Sequence, residues 1–87
     1  MSVKVYNLNL VEDLPKTIET DVHDVSLAEM IDHLAEEYGS DIRLSMIADG
    51  KLNEKAKVSI DGITVSDLSA KIPDGSQLIF YYLVLGG

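Results

Sequence analysis

Residues 25–39 read VSLAEMIDHLAEEYG, and they spell a helix from its first residue to its last. Ser26 stands where an N-cap belongs, and Glu29 follows three positions later. That is the spacing of a capping box, in which each side chain satisfies a backbone N–H of the other residue. Val25 and Met30 hold the positions of a hydrophobic staple. Apolar residues then recur at Leu27, Met30, Ile31, Leu34, Ala35 and Tyr38. Steps of three and four line one face of an α-helix. Gly39 is placed to end it in the left-handed conformation.

Outward from this helix the chain reads as strands and turns. VKVYNLNL (3–10) mixes alternation with β-branched residues and predicts a strand, although the period slips around Tyr6 and leaves its faces unassigned. VEDLP (11–15) is a turn or loop, and KTIET (16–20) is the returning strand. DIRLSMI fits a short helix or a strand, and ADGKLNE contains a turn. KVSIDGITV places two short runs around Asp61-Gly62, a pair that matches the twist of a β-hairpin. Pro73-Asp74-Gly75 makes a further turn, and a final strand begins near Gln77 or Leu78. The order is hairpin, helix, hairpin-like segment, final strand, without a repeat or a linker. It predicts a single α+β domain over residues 1–87: a small mixed sheet with one main helix packed on one face. A single helix covers only one face of the sheet. The other must be polar or covered by a partner.

Composition narrows the function. Fifteen acidic and seven basic side chains give a net charge of -8. Nucleic-acid binding is dominated by phosphate neutralisation, so this balance disfavours it, and it disfavours anionic membrane surfaces equally. It suits a partner with a basic face. There is no cysteine, hence no disulfide and no thiolate nucleophile or metal ligand. The N-terminal residues lack the pattern of a secretory signal, and the longest apolar run, Leu78 to Leu85, is far shorter than a membrane-spanning helix. The expectation is a cytoplasmic protein.

Candidate chemistry among the side chains is thin. His33 has Glu29 and Glu37 four residues away on either side, a spacing that can hold a metal, but no third ligand pattern accompanies it. Charge pairing on an exposed helix face accounts for it, and no metal site is expected. His23 lies between Asp21 and Asp24 in a loop. Glu29, Asp32, His33, Glu36 and Glu37 form an acidic helical face with no Lys or Arg, either a solvated surface or a docking surface for a basic partner. No arrangement of nucleophile and base stands out, so the chain does not read as an enzyme on its own.

The last residues, YYLVLGG (81–87), are different. In strand alternation Leu78, Phe80, Tyr82 and Val84 point one way, and Ile79, Tyr81, Leu83 and Leu85 the other. If one set packs under the helix, the other is an apolar patch that marks an interface. Gly86 and Gly87 carry no side chain, so an extended pair can enter a channel that any Cβ would block. The α-carboxylate of Gly87 is ionised at neutral pH and is a poor electrophile. Joined to AMP, it would have a good leaving group. The reactive atom would then belong to the chain terminus, and the active site to a partner.

In ordered motifs the sequence resembles the MoaD/ThiS family of ubiquitin-like sulfur carriers. The likeness runs through the N-terminal hairpin, SLAEMIDHLAEEYG, DGKLNEKAKVSIDGITV and IPDGSQLIFYYLVLGG, with Gly50 to Asn53, Asp61-Gly62, Asp74-Gly75 and Gly86-Gly87 at the places of the family's motifs. The resemblance implies a β-grasp (ubiquitin-like) fold with residues 82–87 as an extended C-terminal tail. It implies that Gly87 is adenylated by a ubiquitin-activating-type enzyme, which uses ATP while the chain itself binds no cofactor, and is converted to a thiocarboxylate. The sulfur then passes to an acceptor such as the molybdopterin synthase large subunit. Tyr81, Tyr82, Leu83, Val84, Leu85 and Gly86 would bind the partner. The stretch 40–56 and the length are closer to the molybdopterin synthase small subunit than to the shorter thiazole-pathway carrier. That branch commonly carries Pro-Pro and a small residue before Gly-Gly, where this chain has Tyr82-Leu83 and Leu85. Two other readings stay open: a protein modifier joined to lysines through Gly87, and a non-reactive interaction module.

Overall fold

The computed structural model describes residues 2–8, 10, 14–39 and 41–82. Strand β1 (Val3–Leu8) pairs antiparallel with β2 (Thr17–Thr20). A two-residue strand, β3 (Val25–Ser26), leads into helix α1 (Leu27–Tyr38), and a short helix α2 (Asp41–Met46) follows. Then come β4 (Ile47–Ala48), β5 (Lys51–Leu52), β6 (Ala56–Ile60), β7 (Ile63–Val65), β8 (Lys71–Ile72) and β9 (Gln77–Tyr82). The main sheet has the order β2-β1-β9-β6-β7; β3 pairs with β8, and β4 with β5. Strand β9 is central, parallel to β1 and antiparallel to β6.

The helix forms as its capping signals require. Ser26 Oγ accepts the Glu29 N–H at 3.2 Å, and Glu29 Oε1 accepts the Ser26 N–H at 3.1 Å. The next two exposed amide donors of the first turn are met from outside the helix: Leu27 N–H donates to the Ala70 carbonyl and Ala28 N–H to the Leu68 carbonyl. The segment before β8 therefore serves as a second cap. Leu27, Met30, Ile31 and Leu34 are buried, and Val25 packs on the same core. Two details depart from the sequence reading. Tyr38 lies at the margin of the core and is 37% exposed. Gly39 has φ 127° and ψ 146°, positive but not left-handed helical, and its N–H still donates to the Ala35 carbonyl. This extended mirror conformation is one that only glycine adopts freely.

The core lies between the two helices and one face of the sheet. Val3 and Val5 of β1, Ala56, Val58 and Ile60 of β6, and Leu78 and Phe80 of β9 all point into it. The slip of period near Tyr6 has a simple cause. Asn7 also points inward, where it is 4% exposed. Its Nδ2 donates to the Leu14 carbonyl at 2.9 Å and its Oδ1 accepts the Leu10 N–H at 3.0 Å, so a polar residue at a core position ties down the connection to β2. The ambiguous stretch after Gly39 resolves into α2, which buries Ile42 and Met46, and a minimal hairpin turning at Asp49-Gly50. The Asp61-Gly62 turn joins β6 to β7 with φ of 52° and 86°, the positive pair of a type I′ hairpin.

Candidate functional site

The open face of the sheet is set by the same alternation. Lys4, Tyr6 and Leu8 of β1 turn away from the core, as do Lys57 of β6 and Ile79 and Tyr81 of β9. The register aligns Tyr6 with Ile79 and Leu8 with Tyr81 across the parallel pair, and Lys57 with Tyr81 across the antiparallel one. The two central strands thus bring Tyr6, Leu8, Ile79 and Tyr81 into one apolar group on the side no helix covers. Leu8 is 57% exposed, and Tyr6, Ile79 and Tyr81 are half-buried. Tyr81 Oη lies 3.0 Å from Thr64 Oγ1 of β7 and shares a hydrogen bond with it, which fixes the ring's polar end.

Among the residues expected to bind a partner, Tyr81 lies in this group. Tyr82 is the last residue of β9, its backbone paired with Ala56, so the strand runs one residue further than a tail starting at position 82 supposes. Leu83, Val84, Leu85, Gly86 and Gly87 lie outside the described residues. Tyr6, Leu8 and Lys57 were missed by the sequence reading. A strict alternation through β1 would have found the first two, had Asn7 been taken as an inward residue. Lys57 follows from counting back through the Asp61-Gly62 turn.

The start of β9 is fastened by the β6–β7 turn. Asp61 Oδ1 accepts the Gln77 N–H at 2.9 Å, Oδ2 accepts the Ser76 hydroxyl at 3.1 Å, and the Asp61 N–H donates to the Gln77 carbonyl at 2.9 Å. Ser76 is 2% exposed, so this carboxylate satisfies a hydroxyl that burial would otherwise leave unpaired. The strand that precedes the C-terminal residues is thus held at both flanks and at its beginning.

The helix side is electrostatically distinct. Glu29, Asp32, Glu36 and Glu37 stand there as expected, but the face does not lack a cation: Arg43 of α2 pairs with Asp32. Helix α2 lies next to α1, so a basic residue distant in sequence reaches a helix that has none in its own last turn. His33 Nε2 lies 3.2 Å from Thr20 Oγ1 and 3.4 Å from Glu37 Oε1, which bridges α1 to β2. His23 Nδ1 is 2.9 Å from Asp24 Oδ2. Among the described residues, no group of three His, Cys, Asp or Glu side chains could hold a metal ion. A hollow of about 480 Å³ beside the β4–β5 hairpin is lined by Asp49, Lys51, Glu54 and Lys55 among others, and it shares no residue with the open sheet face.

Two carboxylates are held below their usual range. Hydrogen bonds from the Ser26 backbone and side chain lower Glu29, and those from the Ser69 backbone and side chain lower Asp67. Glu29 belongs to the helix cap, and Asp67 holds the turn at Ser69. No helix among the described residues is long and apolar enough to cross a membrane.

No family profile and no curated protein matches the chain. Solved structures do match. The crystal structure of SAMP1, small archaeal modifier protein 1 of Haloferax volcanii, is 22% identical with a TM-score of 0.78, over 100% of both chains. The HVO 2177 protein of the same organism is 19% identical with a TM-score of 0.77, over 100% of this chain and 87% of that one. A chain of the BexX/CysO complex of Amycolatopsis orientalis is 21% identical with a TM-score of 0.76, over 98% and 99%. The fold is a β-grasp. At these identities the likeness is one of architecture. In β-grasp terms, α1 is the helix held in the sheet's grip, and the Tyr6–Leu8–Ile79–Tyr81 group is the palm's open side.

Proposed function

We propose that this chain is a ubiquitin-like sulfur carrier whose reactive group is the α-carboxylate of Gly87. A partner adenylating enzyme with ATP supplies the activation. The carboxylate oxygen attacks the α-phosphorus of ATP, pyrophosphate leaves, and an acyl-adenylate forms. A sulfide-equivalent nucleophile then attacks the carbonyl carbon and expels AMP, which leaves a thiocarboxylate. Its sulfur is donated to an acceptor protein in molybdopterin biosynthesis or a related sulfur-transfer pathway. The single observation that supports this reading most is the open face itself: an apolar group on the central strand that runs directly into residues 83–87. A partner covering that group would be positioned to take the terminal glycines, and Tyr81 to Gly86 would be its handhold. The chain's own side chains do no chemistry in this scheme.

Intact mass spectrometry tests it. The chain is incubated with its adenylating enzyme, ATP and a sulfur donor, and the peptide ending at Gly87 is examined. The expected result is replacement of one oxygen by sulfur on that peptide, dependent on ATP. An unmodified terminus with an enzyme shown to be active would sink the proposal.

A second reading is favoured by the name of one structural neighbour, a small archaeal modifier protein. In it an amine attacks the same acyl-adenylate, so Gly87 ends in an isopeptide bond to lysine. No Lys or Arg follows Lys71, so trypsin would leave residues 72–87, not two glycines, on the modified lysine. Recovery of that branched peptide from cells would establish the modifier; its absence alongside a thiocarboxylate would leave the carrier.

A further inference from the structure

The open sheet face differs from the rest of the surface in charge as well as polarity. The chain carries -8 overall, and the helix side holds Glu29, Asp32, Glu36 and Glu37. Among the described residues paired in the sheet, the outward positions of β1, β2, β6 and β9 carry Lys4, Lys57 and Glu19 as charged residues. Lys4 stands directly across from Glu19, which offsets it. Lys57 has no such neighbour. It lies across from Tyr81, one position from the Ala56–Tyr82 pair that ends the strand, and among the described residues its ammonium has no ion-pair or hydrogen-bond partner. With Lys55, which precedes the strand by one residue and enters no ion pair among the described residues, it forms the uncompensated positive charge beside the point where the chain passes into residues 83–87, and Lys57 is the member set against Tyr81.

Granted the carrier reading above, we propose that Lys57 is a specificity-determining residue for the activating partner. It takes a carboxylate on a partner surface whose apolar centre covers Tyr6, Leu8, Ile79 and Tyr81. The charge distribution carries the argument. The net charge of -8 disfavours an acidic partner group over much of the surface, so a carboxylate beside the apolar centre is drawn to its Lys57 end. A basic partner surface would be drawn to the helix side and would leave the C-terminal residues facing away. A second copy of the chain fits less well. Two chains of charge -8 repel one another.

The experiment is adenylation by the organism's own activating enzyme, followed by ATP–pyrophosphate exchange. Wild type is compared with Lys57→Glu, Lys57→Met and, as a control of equal charge change elsewhere, Lys51→Glu. Lys57→Glu is expected to raise KM for the chain about tenfold with kcat within about twofold, and Lys57→Met to raise it less. The wild-type KM should rise with added salt, and the Lys57→Met KM should respond less steeply. Lys51→Glu should stay within about twofold of wild type. Circular dichroism of each variant checks that the fold is retained. Equal KM values for wild type and Lys57→Glu overturn the proposal, as does an equal penalty from Lys51→Glu, which would mean diffuse net charge and no local contact. A wild-type dimer that Lys57→Glu dissociates would assign the face to self-association and overturn it too. Exchange that requires Gly87 but ignores Lys57 sinks only the role of Lys57. No exchange with wild type sinks the carrier reading beneath it.

Discussion

Strand β9 has two faces made from neighbouring residues, and they belong to different problems. Leu78 and Phe80 are fully buried against the helix side of the core. Ile79 and Tyr81, each one residue on, are half-buried on a face that no helix or strand among the described residues covers. All four are large and apolar. Hydrophobicity alone therefore does not sort structural from interactive residues here; the side of the sheet does. One backbone both anchors the domain and presents it.

The largest effect that would break this comparison is on the inward face. Phe80→Ala should destabilise the fold by about 3–5 kcal/mol, the cost of deleting a fully buried ring. A urea titration reads this directly, and a loss under 1 kcal/mol would show that Phe80 is not the core residue its burial makes it. Next is the fastening of the strand's beginning. Asp61→Ala removes both acceptors from Ser76 and Gln77 and puts alanine at φ 52°. A loss of about 1–2 kcal/mol is expected, while Asp61→Asn, which tolerates that backbone and keeps one acceptor, should lose less. Equal losses from the two would mean that neither the strained backbone nor the remaining acceptor matters, and that the carboxylate's charge holds the turn.

On the outward face the same kind of substitution should do almost nothing to stability. Leu8→Ser is expected to change it by no more than about 0.5 kcal/mol, yet to raise the KM for activation by the partner. Destabilisation as large as that of Phe80→Ala would erase the distinction between the faces. The smallest effect is in acid. Glu29 is held below its ordinary value in the folded chain by Ser26. A depressed folded pKa adds stability above the unfolded value and gives it up as pH falls through the folded one. The contribution should therefore be present at neutral pH and fade below about pH 4.5. Glu29→Gln should show a shallower decline in urea midpoint over that acid limb, and an unchanged slope would remove Glu29 from the account.

How much of this could be read in the sequence depends on range. The helix was legible from its N-cap onward, because Ser26, Glu29 and the apolar steps act within a few residues of each other, whereas the conformation of Gly39 at its end was not. The Asp61-Gly62 hairpin was legible for the same reason. What lay hidden came from contacts between distant segments. The slip near Tyr6 was the exception: Leu10 and Leu14 are close in sequence, but no apolar pattern marks an inward Asn7. The cation on the acidic helix came from α2. The Leu68 and Ala70 carbonyls that cap α1 come from far along the chain. The open face was anticipated as half of an alternation, but Tyr6 and Leu8 join Tyr81 only because β1 and β9 run parallel, a pairing that no local pattern announces.

That parallel pairing also governs time. Among the described residues the sheet's middle strand is the last in sequence, and its partner on one side is the first. Strands β1 and β2 can form a hairpin early, and β6 with β7 likewise, but each then has an open edge and an unfilled core until residues 77–82 arrive between them. Closing so long a loop is slow by comparison with forming either hairpin. A chain cut short before β9 has nothing to join its two halves. Completion of the domain and delivery of the segment that leads to Gly87 are one event, so a partner that recognises the finished sheet meets only chains synthesised through β9.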